Sequence, residues 1–161
     1  MKKVTIKKIL EKKNRVPIAC LAVYSKVTAQ IADQYCDIIL VGDSLSMVLY
    51  GMSSTKNISL ETMIEHCKTV KKFSKRSLVV FDMPYQTYEN KLIAYKNATK
   101  VIKLTKCDAV KLEGGKSKVS IIKYLVKKGI PVMGHIGLLP QTATKFKVKG
   151  KSSIQRKKIF D

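Results

Sequence analysis

The sequence predicts an α/β protein: a parallel (β/α)8 barrel of the TIM type, truncated after about five βα units. Three observations carry this. Strand-like runs, each nearly wholly apolar, alternate with helix-periodic segments, the pattern of a parallel sheet covered on both faces. Four of the runs deliver a titratable group at their carboxyl end: Asp43 after DIILVG, Asp82 in SLVVFD, Glu113 in AVKLE and His135 in PVMGH. No GxGxxG or GxxxxGK[ST] phosphate loop occurs, which argues against an open nucleotide-binding sheet and for a barrel with its site at the carboxyl rim.

Taken in order, residues 1–15 read as a covering helix with Thr5 as N-cap and Ile6, Ile9 and Leu10 on one face. VPIACLAV (16–23) is the first strand. Ser25 opens a helix over 25–36 whose apolar repeat is Val27, Ile31 and Tyr35. DIILVG (37–42) breaks at Gly42 into a long loop, 43–58, expected to have no structure of its own and to be functional. Ser59 caps the next helix, with Glu61 in its first turn, where the helix dipole favours an acid. SLVVFD (77–82) is followed by Pro84, which stops the strand.

A helix then spans about Asn90 to Thr105. DAVKLEGG (108–115) is stopped by two glycines, KSKVSIIKYLVKKG is closed by Gly129, and IPVMGHIG (130–137) is the fifth strand. Ser152 or Ser153 starts a last helix, so the basic tail 145–161 ends inside the fifth helix of the pattern. A complete barrel takes about 250 residues. Residues 1–161 are therefore expected to be a single partial barrel domain whose open strand edges need a partner.

Composition narrows the class. The 161 residues are 45% hydrophobic, enough for one domain with a sizeable core. No run reaches the roughly 20 apolar residues of a membrane span, and MKKVTIKKILEKKNR lacks the apolar segment of a signal peptide. The expectation is a cytoplasmic protein with no membrane partner. Cys20, Cys36, Cys67 and Cys107 form no CxxC pair and read as buried or half-buried free thiols. The net charge of +21 comes almost wholly from lysine; Arg15, Arg76 and Arg156 are the arginines. Lysine spread over every helix reads as solvated faces and argues against a nucleic-acid partner. From Lys145 to Lys158 seven basic residues stand without an acid, a tail able to steer anions.

VGDSL (41–45), the aspartate of FDMPY (81–85), VKLEGG (110–115) and GHIGLLPQ (134–141) resemble, in order and spacing, the motif series of the ketopantoate hydroxymethyltransferase (3-methyl-2-oxobutanoate hydroxymethyltransferase) family, over essentially the whole chain. The resemblance implies transfer of a hydroxymethyl group from 5,10-methylenetetrahydrofolate to 3-methyl-2-oxobutanoate, giving 2-dehydropantoate for pantothenate biosynthesis. It implies Mg2+ on Asp43, Asp82 and Glu113, as a Lewis acid holding the keto acid. It further implies Asp43, Ser44, Asp82, Lys111 and His135 around the substrate, folate as the second ligand, and a homo-oligomer.

Each residue also has a plainer reading. A strand-ending aspartate is commonly a turn former. Lys111 alternates with Val110 and Leu112, pointing either into the barrel or out to the helices, where it could snorkel. His135 could be a satisfied neutral residue, and His66 is structural. Tyr24, Tyr50 and Tyr85 are candidates for the mouth.

Departures from the family pattern matter too. Leu21-Ala22-Val23-Tyr24-Ser25 replaces a Thr-Ala-Tyr-Asp run, and 145–150 lacks a Gly-Gly-Tyr. The family's proton-abstracting glutamate lies on a sixth strand, so impaired turnover is expected of residues 1–161. Two rival classes are another Mg-dependent keto-acid lyase-type barrel and a non-catalytic basic fragment binding polyanions.

Overall fold

The computed structural model describes residues 2–160. Its centre is a five-stranded sheet in sequential order with every neighbouring pair parallel. The strands are β1 (Cys20–Ala22), β2 (Ile38–Val41), β3 (Leu78–Asp82), β4 (Ala109–Glu113) and β5 (Val132–His135). The helices are α1 (Ile6–Glu11), α2 (Lys26–Tyr35), α3 (Leu45–Val48), α4 (Leu60–Phe73), α5 (Lys91–Thr105), α6 (Val119–Lys127) and α7 (Ser153–Phe160). Sequential parallel strands joined by helices on one side form five eighths of a barrel wall.

Side-chain alternation sorts each strand onto two faces. Ile39, Val41, Val79, Phe81, Val110 and Leu112 face the helices and meet Ala29, Met63, Val70 and Ala98 in the main core. Ile38, Leu78, Val80 and Ala109 face the other way, together with Leu40, Met133 and, from the amino-terminal segment, Val4 and Ile9. That second face is the barrel interior, and α1 covers its amino-terminal end. Two residues further along the same inward series stand Gly42, Asp82, Lys111 and His135, with Glu113 two beyond Lys111. The register pairs Asp82 with Lys111 and Glu113 with His135.

Helix starts follow the capping chemistry of the sequence. Thr5, Ser25, Ser59 and Asn90 each accept a hydrogen bond from a first-turn amide, and Ser25 forms a capping box with Thr28.

Four local expectations are corrected. The first strand is three residues rather than eight: β1 pairs on one side only, and its residues are exposed. The stripe Val27, Ile31, Tyr35 faces out, 57–74% exposed. α2 instead buries its small residues Ala29 and Ala32, which let it pack closely on α4. The 43–58 loop carries the short helix α3 and a 3-10 turn at Thr55–Asn57. Cys20 is exposed, not buried, although all four thiols are free.

Candidate active site

At the carboxyl ends of β2, β3 and β4 three carboxylates come together in a buried cluster. Asp43, Asp82 and Glu113 are 5%, 2% and 4% exposed. Gly42 lies against the cluster: a Cβ there would crowd Ser44 Oγ at 3.1 Å and touch Asp82 Oδ2 at 3.9 Å. Lys111 points into the barrel and donates to both oxygens of Asp82, at 2.8 and 2.7 Å. The Asp43 backbone N–H lies 3.5 Å from Asp82 Oδ2.

Glu113 Oε1 accepts the backbone N–H of Gln141 at 2.8 Å. Its Oε2 lies 3.3 Å from His135 Nδ1. That nitrogen is buried and has no aligned hydrogen bond, so its contact with Glu113 is one of proximity. Ser44 Oγ shares a hydrogen bond with the Tyr24 hydroxyl at 2.8 Å. The Tyr24 carbonyl is 2.8 Å from His66 Nδ1, and His66 Nε2 is 3.0 Å from the Tyr50 hydroxyl. His66 is thus structural, as its place within a helix suggests: it ties the loops after β1 and β2 to α4. Tyr85 lies half-buried further out, with the Lys56 ammonium 5.2 Å over its ring.

Charge separates this end of the sheet from the other. At the amino-terminal end, Asp33, Asp37 and Asp108 are buried or partly buried, yet their carboxyls are held below the usual range. Burial opposes ionisation there, but hydrogen bonds outweigh it: from the Ser77, Arg76 and Lys75 amides to Asp33, from Lys12 and the Ala19 amide to Asp37, and from Lys71 and the Val79 amide to Asp108.

At the carboxyl end the balance reverses. Burial pushes Asp82 up to about 6, with Lys111 opposing and the neighbouring Asp43 charge adding to the rise. Asp43 is also raised, first by burial, against the Gln141 hydrogen bond and the Lys111 charge and with that of Glu113. Acids stabilised as anions hold the fold together; acids crowded and raised in pKa at a barrel rim mark a site.

Three buried carboxylates against one lysine leave negative charge that a cation would balance, and hard oxygen donors suit magnesium. In this structure Lys111 stands where that charge concentrates. Among the described residues no three His, Cys, Asp or Glu groups close to the spacing that holds a metal ion. The donor set fits magnesium in charge and hardness; the side chains here are arranged with the ammonium on Asp82 and with Gln141 between Asp43 and Glu113.

Two residues of the cluster escape a reading of the sequence. Gln141 is 2% exposed, and its side-chain amide donates to Asp43 Oδ2 at 2.8 Å. The buried Tyr88 hydrogen-bonds Gln141 Oε1. Gln141 closes the GHIGLLPQ motif, so its position is legible there but its partner is not; Tyr88 carries no signal in DMPYQTYEN.

Residues 3–161 match the family model described as ketopantoate hydroxymethyltransferase. The chain is 56% identical over 157 residues to the 3-methyl-2-oxobutanoate hydroxymethyltransferase of Pelagibacter ubique (strain HTCC1062), covering 96% of this chain and 61% of that one. It is 46% identical over 162 residues to the enzyme of the same name from Rhizobium etli, covering 98% and 59%. The chain therefore spans about three fifths of the length of these relatives. In fold it is similar to the crystal structure of 2,3-dimethylmalate lyase, a PEP mutase/isocitrate lyase superfamily member, with TM-score 0.58 and 13% identity over 83% of this chain and 52% of that one. With the family model matched from residue 3 to residue 161, the chain belongs to the ketopantoate hydroxymethyltransferase family.

Proposed function

We propose that residues 1–161 form the keto-acid-binding and cation-binding part of a hydroxymethyltransferase that converts 3-methyl-2-oxobutanoate to 2-dehydropantoate with 5,10-methylenetetrahydrofolate as donor. The observation that carries this reading is the buried cluster of Asp43, Asp82 and Glu113 with Lys111 at one rim, set against the satisfied aspartates at the other end. Asp43, Asp82 and Glu113 would hold Mg2+. The bound cation supplies Lewis-acid polarisation of the keto acid's oxygens.

The chain's own residues do the rest. Ser44 donates its hydroxyl hydrogen to the substrate carboxylate while its oxygen accepts from Tyr24, which fixes the direction of the bond. Lys111 exchanges Asp82 for the substrate's negative charge. His135 lines the substrate site beside Glu113. Asp43, Glu113 and Gln141 keep the floor of the site dry and polar.

No further acid reaches this cluster among the described residues. Glu61 pairs with Lys100 and Glu65 with Lys68, both on the surface, and Glu89 is exposed. We place the general base on a sixth strand, as the family pattern implies, and on none of these acids. Loss of such a base costs on the order of 100- to 10,000-fold in rate, so turnover by these residues alone is weak. The domain is a single partial barrel with α1 as its cover, working in the cytoplasm within a homo-oligomer.

The test is binding of 3-methyl-2-oxobutanoate by calorimetry, with and without Mg2+, alongside turnover of the purified 161-residue chain. The expected result is binding that requires Mg2+, disappears in Asp82→Ala, and comes with little turnover. Binding that ignores Mg2+ and falls steeply with salt would instead mark a polyanion-binding fragment. Turnover at the level of the full-length relatives would refute the missing-base argument.

A further inference from the structure

We infer that Gln141 is a positioning residue for the cation site, fixing which oxygens of Asp43 and Glu113 face the cleft. The inference rests on the metal-site reading above and adds a residue to it. Gln141 is 2% exposed, and its side-chain amide and backbone N–H are all engaged. Its Nε2 donates to Asp43 Oδ2 at 2.8 Å and to the Met83 carbonyl at 3.0 Å. Its Oε1 accepts from the Tyr88 hydroxyl, and its backbone N–H donates to Glu113 Oε1 at 2.8 Å. One residue from the loop after β5 thus holds the segments that follow β2 and β3 and the end of β4.

The orientation of the amide is fixed by chemistry. Turning it over would set its oxygen against two acceptors, Asp43 Oδ2 and the Met83 carbonyl, and its NH2 against the Tyr88 phenol. The phenol itself is anchored, accepting the Glu113 backbone N–H at 3.3 Å. With Asp43 Oδ2 and Glu113 Oε1 each held by a hydrogen bond from Gln141, both carboxylates are fixed in orientation, and Asp43 Oδ1 and Glu113 Oε2 would be the oxygens freest to meet a cation. Outer partners of this kind set ligand orientation, and their loss typically weakens metal affinity about 10- to 100-fold.

The experiment measures Mg2+ affinity by calorimetry and Mn2+ affinity by electron paramagnetic resonance, on the wild-type chain, Gln141→Met and Tyr88→Phe, with circular dichroism on each. Gln141→Met keeps the side-chain length and the backbone bond to Glu113 while removing the amide. It is expected to weaken both metals about 10- to 100-fold with unchanged helix content. Tyr88→Phe, which leaves the amide in place but unanchored, is expected to fall between wild type and Gln141→Met; it carries the test if Gln141→Met does not fold.

Wild-type metal binding with both variants within twofold of it overturns the role of Gln141 while leaving the metal site standing. A folded wild-type chain that binds neither metal overturns the metal-site reading, and this inference with it.

Discussion

The residue that shows most about how the site works is Lys111. Its ammonium lies against both oxygens of a carboxylate that is 2% exposed. A buried ion pair is worth less than its geometry suggests, because both charges lose their hydration, yet removing one partner leaves an uncompensated charge and costs about 3–5 kcal/mol. Lys111→Met is therefore expected to lower thermal stability sharply in the absence of metal. Mg2+ should restore much of that loss, because it neutralises the same carboxylate, and the gain in melting temperature on adding Mg2+ should exceed that of wild type. Thermal melts of both proteins with and without Mg2+ check this; a loss that Mg2+ leaves untouched would mean the cation binds elsewhere. On the role proposed for Lys111, the same variant should bind 3-methyl-2-oxobutanoate poorly even when loaded.

At the scale of elements, the two ends of the sheet are built for different tasks. Asp33, on the last turns of α2, accepts the amides of Lys75, Arg76 and Ser77 at 2.7–3.0 Å and so fixes the turn entering β3. Because its carboxyl is held below the usual range, its contribution is fully present above the unfolded-state value, about 3.9, and is lost as pH falls through the lower folded-state value. Asp33→Asn is expected to destabilise the chain by about 1–3 kcal/mol at pH 7. The difference from wild type should shrink below about pH 4. Denaturant melts at pH 7 and pH 3 check both the size and the sign.

Asp82 has the opposite sign. Its raised value means that its ionisation weakens the metal-free fold as pH rises from about 4 toward 6.

Much of this element structure was legible before any coordinates. Continuous apolar runs gave five parallel strands, and Ser and Thr ahead of the apolar repeats gave the starts at Thr5, Ser25 and Ser59; the cap at Asn90 is seen only in the structure. Alternation along AVKLE narrowed Lys111 to two directions. What stayed hidden depends on the course of the chain through space. Val27, Ile31 and Tyr35 looked like a core face because they are large, whereas the true core face of α2 is made of alanines that permit close approach to α4. Gln141 and Tyr88 lie 53 residues apart and meet only because the loops after β3 and β5 fold over the same rim. No local pattern encodes that meeting.

At the scale of the molecule, the sheet is a barrel wall with both edges unpaired among the described residues, since β1 and β5 each have one neighbour. Its inner face is lined by Ile38, Leu78, Val80 and Met133 around an apolar hollow of about 620 Å³. The 157 matched residues are 61% of the Pelagibacter relative, which leaves about 100 residues of that relative beyond the match. At about 30 residues per βα unit that is three further units, the number that completes eight strands. The barrel reading therefore closes arithmetically on the relative's length.

The central claim is that Asp43, Asp82 and Glu113 share one hard cation. Its most direct test is anomalous diffraction from crystals of the chain soaked in Mn2+, which stands in for Mg2+. The account predicts a single strong peak enclosed by the three carboxylates, with Lys111 drawn off Asp82. A peak on the lysine-rich tail or at surface acids, or none at the rim with Lys111 still on Asp82, would contradict it.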